Sequence, residues 1–160
     1  MSASHDSART HAHRLKAGIT TVAATGVLLG GTALAAPTAH AAALTIGQKA
    51  LGIAQSKHGD PYRWGGTGPN SFDCSGLTYY AFRHAGRKLP RTAQAQYNHV
   101  QHISFRQLRP GDLVFFHSGS NVYHVGIYAG HWEIWHSPHT GSYVKLERIW
   151  TNSVWFGRVN

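Results

Sequence analysis

The sequence predicts an α+β domain, with helices first and a meandering antiparallel sheet afterwards, one helix packing on the sheet. Two observations carry this. Apolar residues recur at helical spacing between residue 45 and about residue 99, and after Leu108-Arg109-Pro110-Gly111-Asp112 the pattern changes to short β-rich runs.

The elements follow in order. Residues 45–58 form an amphipathic helix, because Ile46, Ala50, Ile53 and Ala54 fall on one face and Gly59-Asp60-Pro61 ends it. Tyr62-Arg63-Trp64-Gly65-Gly66 is an aromatic loop, and Thr67 to Ser71 continues it with Gly68, Pro69 and Asn70. A second helix starts at or beside Cys74 and runs to about Ala85, with Leu77, Tyr80, Ala81 and His84 on one face and Gly86 in the C-cap position. Thr92 caps a short helix over 93–99, and residues 100–107 read as irregular. Leu113-Val114-Phe115-Phe116 is apolar throughout, which suits a central strand. A turn at Ser118–Asn121 leads to a strand at Tyr123–Tyr128, and Ala129-Gly130-His131 turns into a strand at Trp132–His136. Ser137 to Ser142 is a loop, and Tyr143–Ile149 and Val154–Val159 are two more strands.

Ahead of this domain, residues 1–41 read as a cleaved secretory signal peptide. Arg9, His11, His13, Arg14 and Lys16 make a basic start, residues 17–36 are small, apolar and uncharged, and Ala39-His40-Ala41 is an A-x-A cleavage site, with Ala41-Ala42-Ala43 the alternative. A retained membrane anchor is the competing reading. The stretch is built of Ala, Gly and Thr where an anchor would carry Leu, so no stable membrane insertion is expected. Residues 42–160 then form one domain of about 118 residues, with monomer the default. Of the chain's 15 basic and 6 acidic residues, Arg9, Arg14, Lys16 and Asp6 lie in the leader, which leaves 12 against 5 and a net charge of +7. Outside a cell such a charge suits anionic cell-wall polymers. Nucleic acid is not expected, since the cations are scattered apart from Arg87-Lys88-Leu89-Pro90-Arg91.

Cys74 is the only cysteine, so no internal disulfide can form. A lone cysteine often serves as a small buried hydrophobe. Here a glycine-rich entry and polar neighbours suit a thiol that must be approached, and a helix N-terminus favours thiolate. Nine histidines follow residue 41. His124 opens one strand and His136 closes the next, so a hairpin would set both on one sheet face, where they could meet the cysteine helix. A thiol, an imidazole to take its proton and a second polar group to orient that imidazole are what nucleophilic acyl transfer requires. His117 and His139 compete for these roles, and His136 is preferred to His139 because strand ends position groups more tightly than loops. A metal site is the rival use, but only His136-Ser137-Pro138-His139 has a compact ligand spacing and a proline interrupts it, so neither metal nor cofactor is expected.

Together these segments resemble the NlpC family of secreted papain-like cysteine peptidases, which cut peptidoglycan stem peptides. The matching pieces are Pro61-Tyr62-Arg63-Trp64-Gly65-Gly66, Asp73-Cys74-Ser75-Gly76-Leu77, Leu89-Pro90-Arg91-Thr92, Arg109-Pro110-Gly111-Asp112-Leu113-Val114-Phe115-Phe116 and His124-Val125-Gly126-Ile127-Tyr128, with Trp135-His136-Ser137-Pro138 at the third catalytic position. They span roughly Ile46 to Val159 in the family's order. The resemblance implies a papain-like α+β fold, Cys74 as nucleophile, His124 as general base and His136 as its orienting partner. It also implies that Tyr62 lines the site and that Asp73 and Ser75 lie beside the substrate's free amino end. Asp73 also suits a helix N-cap, and Tyr62 could pack on Trp64 instead. The expected bond joins γ-D-glutamate to the following diamino acid, with an amidase or acyltransferase on the same scaffold, or a non-catalytic wall binder, as alternatives.

Overall fold

A computed structural model of the protein describes residues 42–160; the expected leader, residues 1–41, lies outside the described residues. Three helices precede the sheet. Helix α1 (Ile46–Gln55) begins with a capping box in which Gln48 N–H donates to Thr45 Oγ1 (3.2 Å) and Thr45 N–H donates to Gln48 Oε1 (2.9 Å). Helix α2 (Cys74–His84) is N-capped by Asp73. It stops in a Schellman motif: Gly86 has φ +95°, its N–H reaches Arg83 O (3.2 Å), and Arg87 N–H reaches Phe82 O (2.8 Å). Helix α3 (Ala93–His99) is capped by Thr92, as its sequence indicates.

The sheet comprises β1 (Gln101–Ile103), β2 (Leu113–Ser118), β3 (Asn121–Gly130), β4 (Glu133–His136), β5 (Lys145–Arg148) and β6 (Val154–Arg158). Its order is β1-β6-β2-β3-β4-β5, with every pair antiparallel. The all-apolar run at Leu113–Phe116 is the central strand that its composition predicts, fully buried on both faces. Leu113, Phe115, Val125 and Ile127 face the helices and pack with Ala50, Ala54, Leu77, Ala81 and Phe82. Val114, Phe116, Ile134 and Ile149 form a second apolar cluster on the opposite face. Each large side chain buried this way contributes about 1.5–3 kcal/mol.

Two stretches differ from expectation. Residues 100–107 are not irregular: they hold β1 and a 3₁₀ turn at Phe105–Gln107. Strand β1 is short, and its burial pattern is that of a solvated edge, which leaves no alternation to read in its sequence. Trp132 lies in the turn before β4 instead of within that strand. His131 and Trp132 both have positive φ (53° and 63°), the geometry of a two-residue hairpin turn.

Candidate active site

Helix α2 brings Cys74 to the site by its first residue. Asp73 Oδ1 accepts from Gly76 N–H (2.7 Å), and Asp73 Oδ2 accepts from Gly65 N–H (2.9 Å), so one carboxylate caps the helix and anchors the loop before it. Gly76 has no alternative at its position, since a Cβ there would lie 1.8 Å from the carbonyl oxygen of Gly66. Arg91, from the segment before α3, closes the arrangement. Its guanidinium donates to both oxygens of Asp73 and to Ser75 Oγ (3.0 Å). Asp73 and Ser75 are buried and line a cavity of about 370 Å³ together with Cys74, Arg91 and Gln94.

The two histidines come from the β3–β4 hairpin. The β2–β3 register runs Phe116 opposite His124 and then His117 opposite Val122, so Tyr123 is an unpaired bulge. The bulge is why Val122 and Val125, three apart, both point into the helix-side core. It also sends His124 to the other face, where it packs on Phe116 and Trp150. By register His136 shares that face. The shared face agrees with the sequence, but the body of α2 packs on the opposite one, and only the helix start reaches the histidines' cavity. That cavity, of about 440 Å³, is lined by Cys74, His124, His136, Tyr62, Trp150 and Glu147 among others. Trp64, 85% exposed, and Tyr123, half exposed, border both cavities, as does Cys74. So exposed a Trp64 ring offers Tyr62 no packed surface; Tyr62 instead lines the thiol's cavity.

A chain of hydrogen bonds runs away from His124. His124 Nε2 lies 2.8 Å from His136 Nδ1, and His136 Nε2 lies 3.0 Å from Glu147 Oε2. Lys145 Nζ donates to the same Glu147 oxygen at 2.8 Å. His139 lines the cavity but bonds the Thr140 carbonyl, and His117 stacks on Trp155. Ser137, fully buried, donates to Phe72 O (2.8 Å), tying the residue after His136 to the segment before Cys74. Neither Glu147 nor Ser137 is among the site residues that the sequence points to. The signal for Glu147 was there: Lys145 and Glu147 alternate with Leu146 and Arg148, which puts the charged pair on the face of a hairpin partner such as His136.

Electrostatics here are set by burial. Loss of water holds His124 down at about 3, helped by His136, and holds His136 down at about 4 against the opposing pull of Glu147. Both rings are therefore neutral at physiological pH. Lys145 first, then His136, holds Glu147 below its usual carboxylate range despite partial burial. The Cys74 thiol does not follow the expectation from the helix start. Burial pushes it up and Asp73 adds to this, against N–H groups of Ser75 and Val125 that favour thiolate. The helix's positive end is already met by the Asp73 cap, so little of it is left for the sulfur. Tyr62 is raised by the same causes, burial first and then Cys74 and Asp73. Among the described residues no group of three or more His, Cys, Asp or Glu side chains is placed to hold a metal ion.

This arrangement can be set beside known proteins. The NlpC/P60 family model matches residues 59–158. Over 103 residues the chain is 48% identical to a Corynebacterium glutamicum protein named "Probable endopeptidase", covering 64% of this chain and 48% of that protein. It is 48% identical over 111 residues to the Listeria monocytogenes "Probable endopeptidase p60", covering 66% of this chain and 22% of that one. A bifunctional muramidase/DL-endopeptidase of Bacillus subtilis is 44% identical over 108 residues, 63% of this chain and 33% of its own. The chain thus spans about half or less of the length of these relatives. Among solved structures, the NlpC/p60 domain of the peptidoglycan hydrolase SagA superposes with TM-score 0.64 at 32% identity, over 71% of this chain and 98% of that one. RipD of Mycobacterium tuberculosis, described as a non-catalytic NlpC/p60 domain protein adapted to peptidoglycan binding, gives TM-score 0.63 at 28% identity over 74% and 100%.

Proposed function

The chain belongs to the NlpC/P60 family, and on that premise we propose that it is an exported cysteine endopeptidase of peptidoglycan stem peptides. The observation that carries the reading is the cavity of about 440 Å³ whose lining includes the only cysteine of the chain and a hydrogen-bonded pair of buried histidines. In the reaction, His124 Nδ1 takes the Cys74 proton as the sulfur attacks the amide carbonyl. Backbone N–H groups at the start of α2 receive the oxyanion. The imidazolium then protonates the leaving amine, and water, deprotonated by the same ring, releases the thioester. His136 orients His124, and Tyr62 lines the acyl side.

The scissile bond proposed is the one between γ-D-glutamate and the diamino acid. Asp73 and Ser75 face the second cavity, where the substrate's free amino end would sit, although Asp73 already serves Gly65, Gly76 and Arg91. Residues 1–41 act as the cleaved leader and 42–160 as the catalytic domain, working as a monomer at the cell wall. The cationic surface supplies attraction to anionic wall polymers, an attraction that salt should weaken.

Retention of the thiol and both histidines in one cavity supports catalysis over the binding-only role described for RipD. The test is digestion of purified peptidoglycan beside Cys74→Ala, with mass analysis of the products. Stem fragments split after glutamate, absent with the variant, are expected. Whole stem peptides released from the sugar would replace the reading with an amidase, and no product from either protein would replace it with a binder.

A further inference from the structure

The enzymatic reading leaves Glu147 unused, although the residue ends the chain of hydrogen bonds that begins at His124. We propose that Glu147 is a positioning residue: its carboxylate fixes the proton of His136 on Nε2 and, through His136, the proton of His124 on Nε2, so that Nδ1 of His124 stays a bare lone pair for the Cys74 proton. The inference rests on the catalytic roles given above to Cys74 and His124.

The argument is one of donors and acceptors. The His136 side chain has no exposed surface, so no bulk water competes for its two nitrogens. An ionised carboxylate only accepts, so His136 Nε2 must donate across the 3.0 Å contact to Glu147. A neutral imidazole carries one N–H, so His136 Nδ1 is a lone pair and His124 Nε2 must donate across the 2.8 Å contact. That leaves Nδ1 as the one nitrogen of His124 able to accept a proton. When it does so, the new positive charge sits one ring away from a carboxylate. A hydroxyl, an amide or water at the Glu147 position could run the chain either way, and the reverse direction places a hydrogen on Nδ1.

The surroundings keep the terminus anionic and in place. Lys145 Nζ donates at 2.8 Å to the oxygen that His136 uses. Lys145 lies opposite His136 in the β4–β5 register, and Glu147 is the next residue on the same face, its diagonal neighbour. Burial holds both imidazoles neutral, which is what makes the single-proton logic binding, and Lys145 and His136 together hold Glu147 ionised.

The experiment records imidazole ¹⁵N spectra of the labelled protein near pH 7, with resonances assigned by His124→Gln and His136→Gln, alongside kcat/KM on a stem-peptide fragment. The unsubstituted protein should show both rings protonated on Nε2. Glu147→Gln, which keeps shape and loses the obligate acceptor, should populate both tautomers of His124. Glu147→Lys, a pure donor, should move the His124 proton to Nδ1 and lower kcat/KM by about 10²–10⁴-fold, the range of general acid–base catalysis, with a wrong tautomer in a catalytic triad at its upper end, and with KM changed less than kcat. The proposal is overturned if His124 stays wholly Nε2-protonated in both variants, or if its tautomer changes while kcat/KM stays within about twofold. No cleavage by the unsubstituted protein would refute the enzymatic reading, and the spectra would still decide whether Glu147 orients the pair.

Discussion

Acid should unfold this protein earlier than its carboxylates alone would. His124 is held at about 3 and His136 at about 4, against 6.5 for a free imidazole. On lowering pH through 6.5 the unfolded chain takes up protons that the folded rings refuse, so stability falls with falling pH until the folded values are reached. From pH 7 to pH 5 each ring accounts for about 2 kcal/mol, and the pair for about 4 kcal/mol, an amount comparable with much of a small domain's total stability. Glu147, held low by Lys145, adds to the loss only further into acid. Urea unfolding followed by the fluorescence of the five tryptophans measures this directly at pH 7, 6 and 5. In His136→Asn, with one titrating ring removed, the drop should shrink to about half. A loss under about 1 kcal/mol between pH 7 and 5 would show that the rings charge in place, and the neutral hydrogen-bonded pair would have to be abandoned.

Two further expectations concern the start of α2. Gly76→Ala sets a methyl against the Gly66 carbonyl at 1.8 Å and should cost about 3 kcal/mol or more, with loss of activity, because the helix start and the loop must separate; a variant within 1 kcal/mol of the parent in urea would contradict the packing. Cys74 is the only thiol, so its alkylation by iodoacetamide is a direct readout. With burial and Asp73 raising it, the rate should be low at pH 7 and climb into alkaline solution, whereas a plateau already reached below pH 7 would indicate a standing thiolate.

How much of this was legible in the sequence depends on what each feature needs. Helix α2 could be read because its signals are local: an Asp cap, a face of Leu77 and Ala81, and Gly86 to stop it. The central strand could be read because burial on both faces leaves an unbroken apolar run. Strand β1 could not, since it exists only through its pairing with β6 (Gln101 opposite Arg158). The Tyr123 bulge was hidden for a related reason: Val122 and Val125 are out of step for one face, and only the partner strand shows which residue is extra.

Burial, and then the Asp73 carboxylate, work against the thiolate that the helix start favours. The sequence puts Cys74 at a positive helix end and Asp73 in a position that suits its cap. In the folded protein they oppose each other: burial raises the thiol first, and the capping carboxylate that orders the helix start adds to it. Arg91 explains how the chain tolerates this: its bidentate contact with Asp73 offsets the carboxylate's charge while Ser75 is held in place. The consequence is a division of labour. On the proposed mechanism the α2 side places the sulfur, while the hydrogen bonds from Glu147 through His136 to His124, on the other face of the sheet, would set the proton's destination. In that proposed mechanism the proton passes from a neutral thiol to a neutral imidazole as the carbonyl is attacked, so orientation of the acceptor should matter more to the rate than a preformed thiolate.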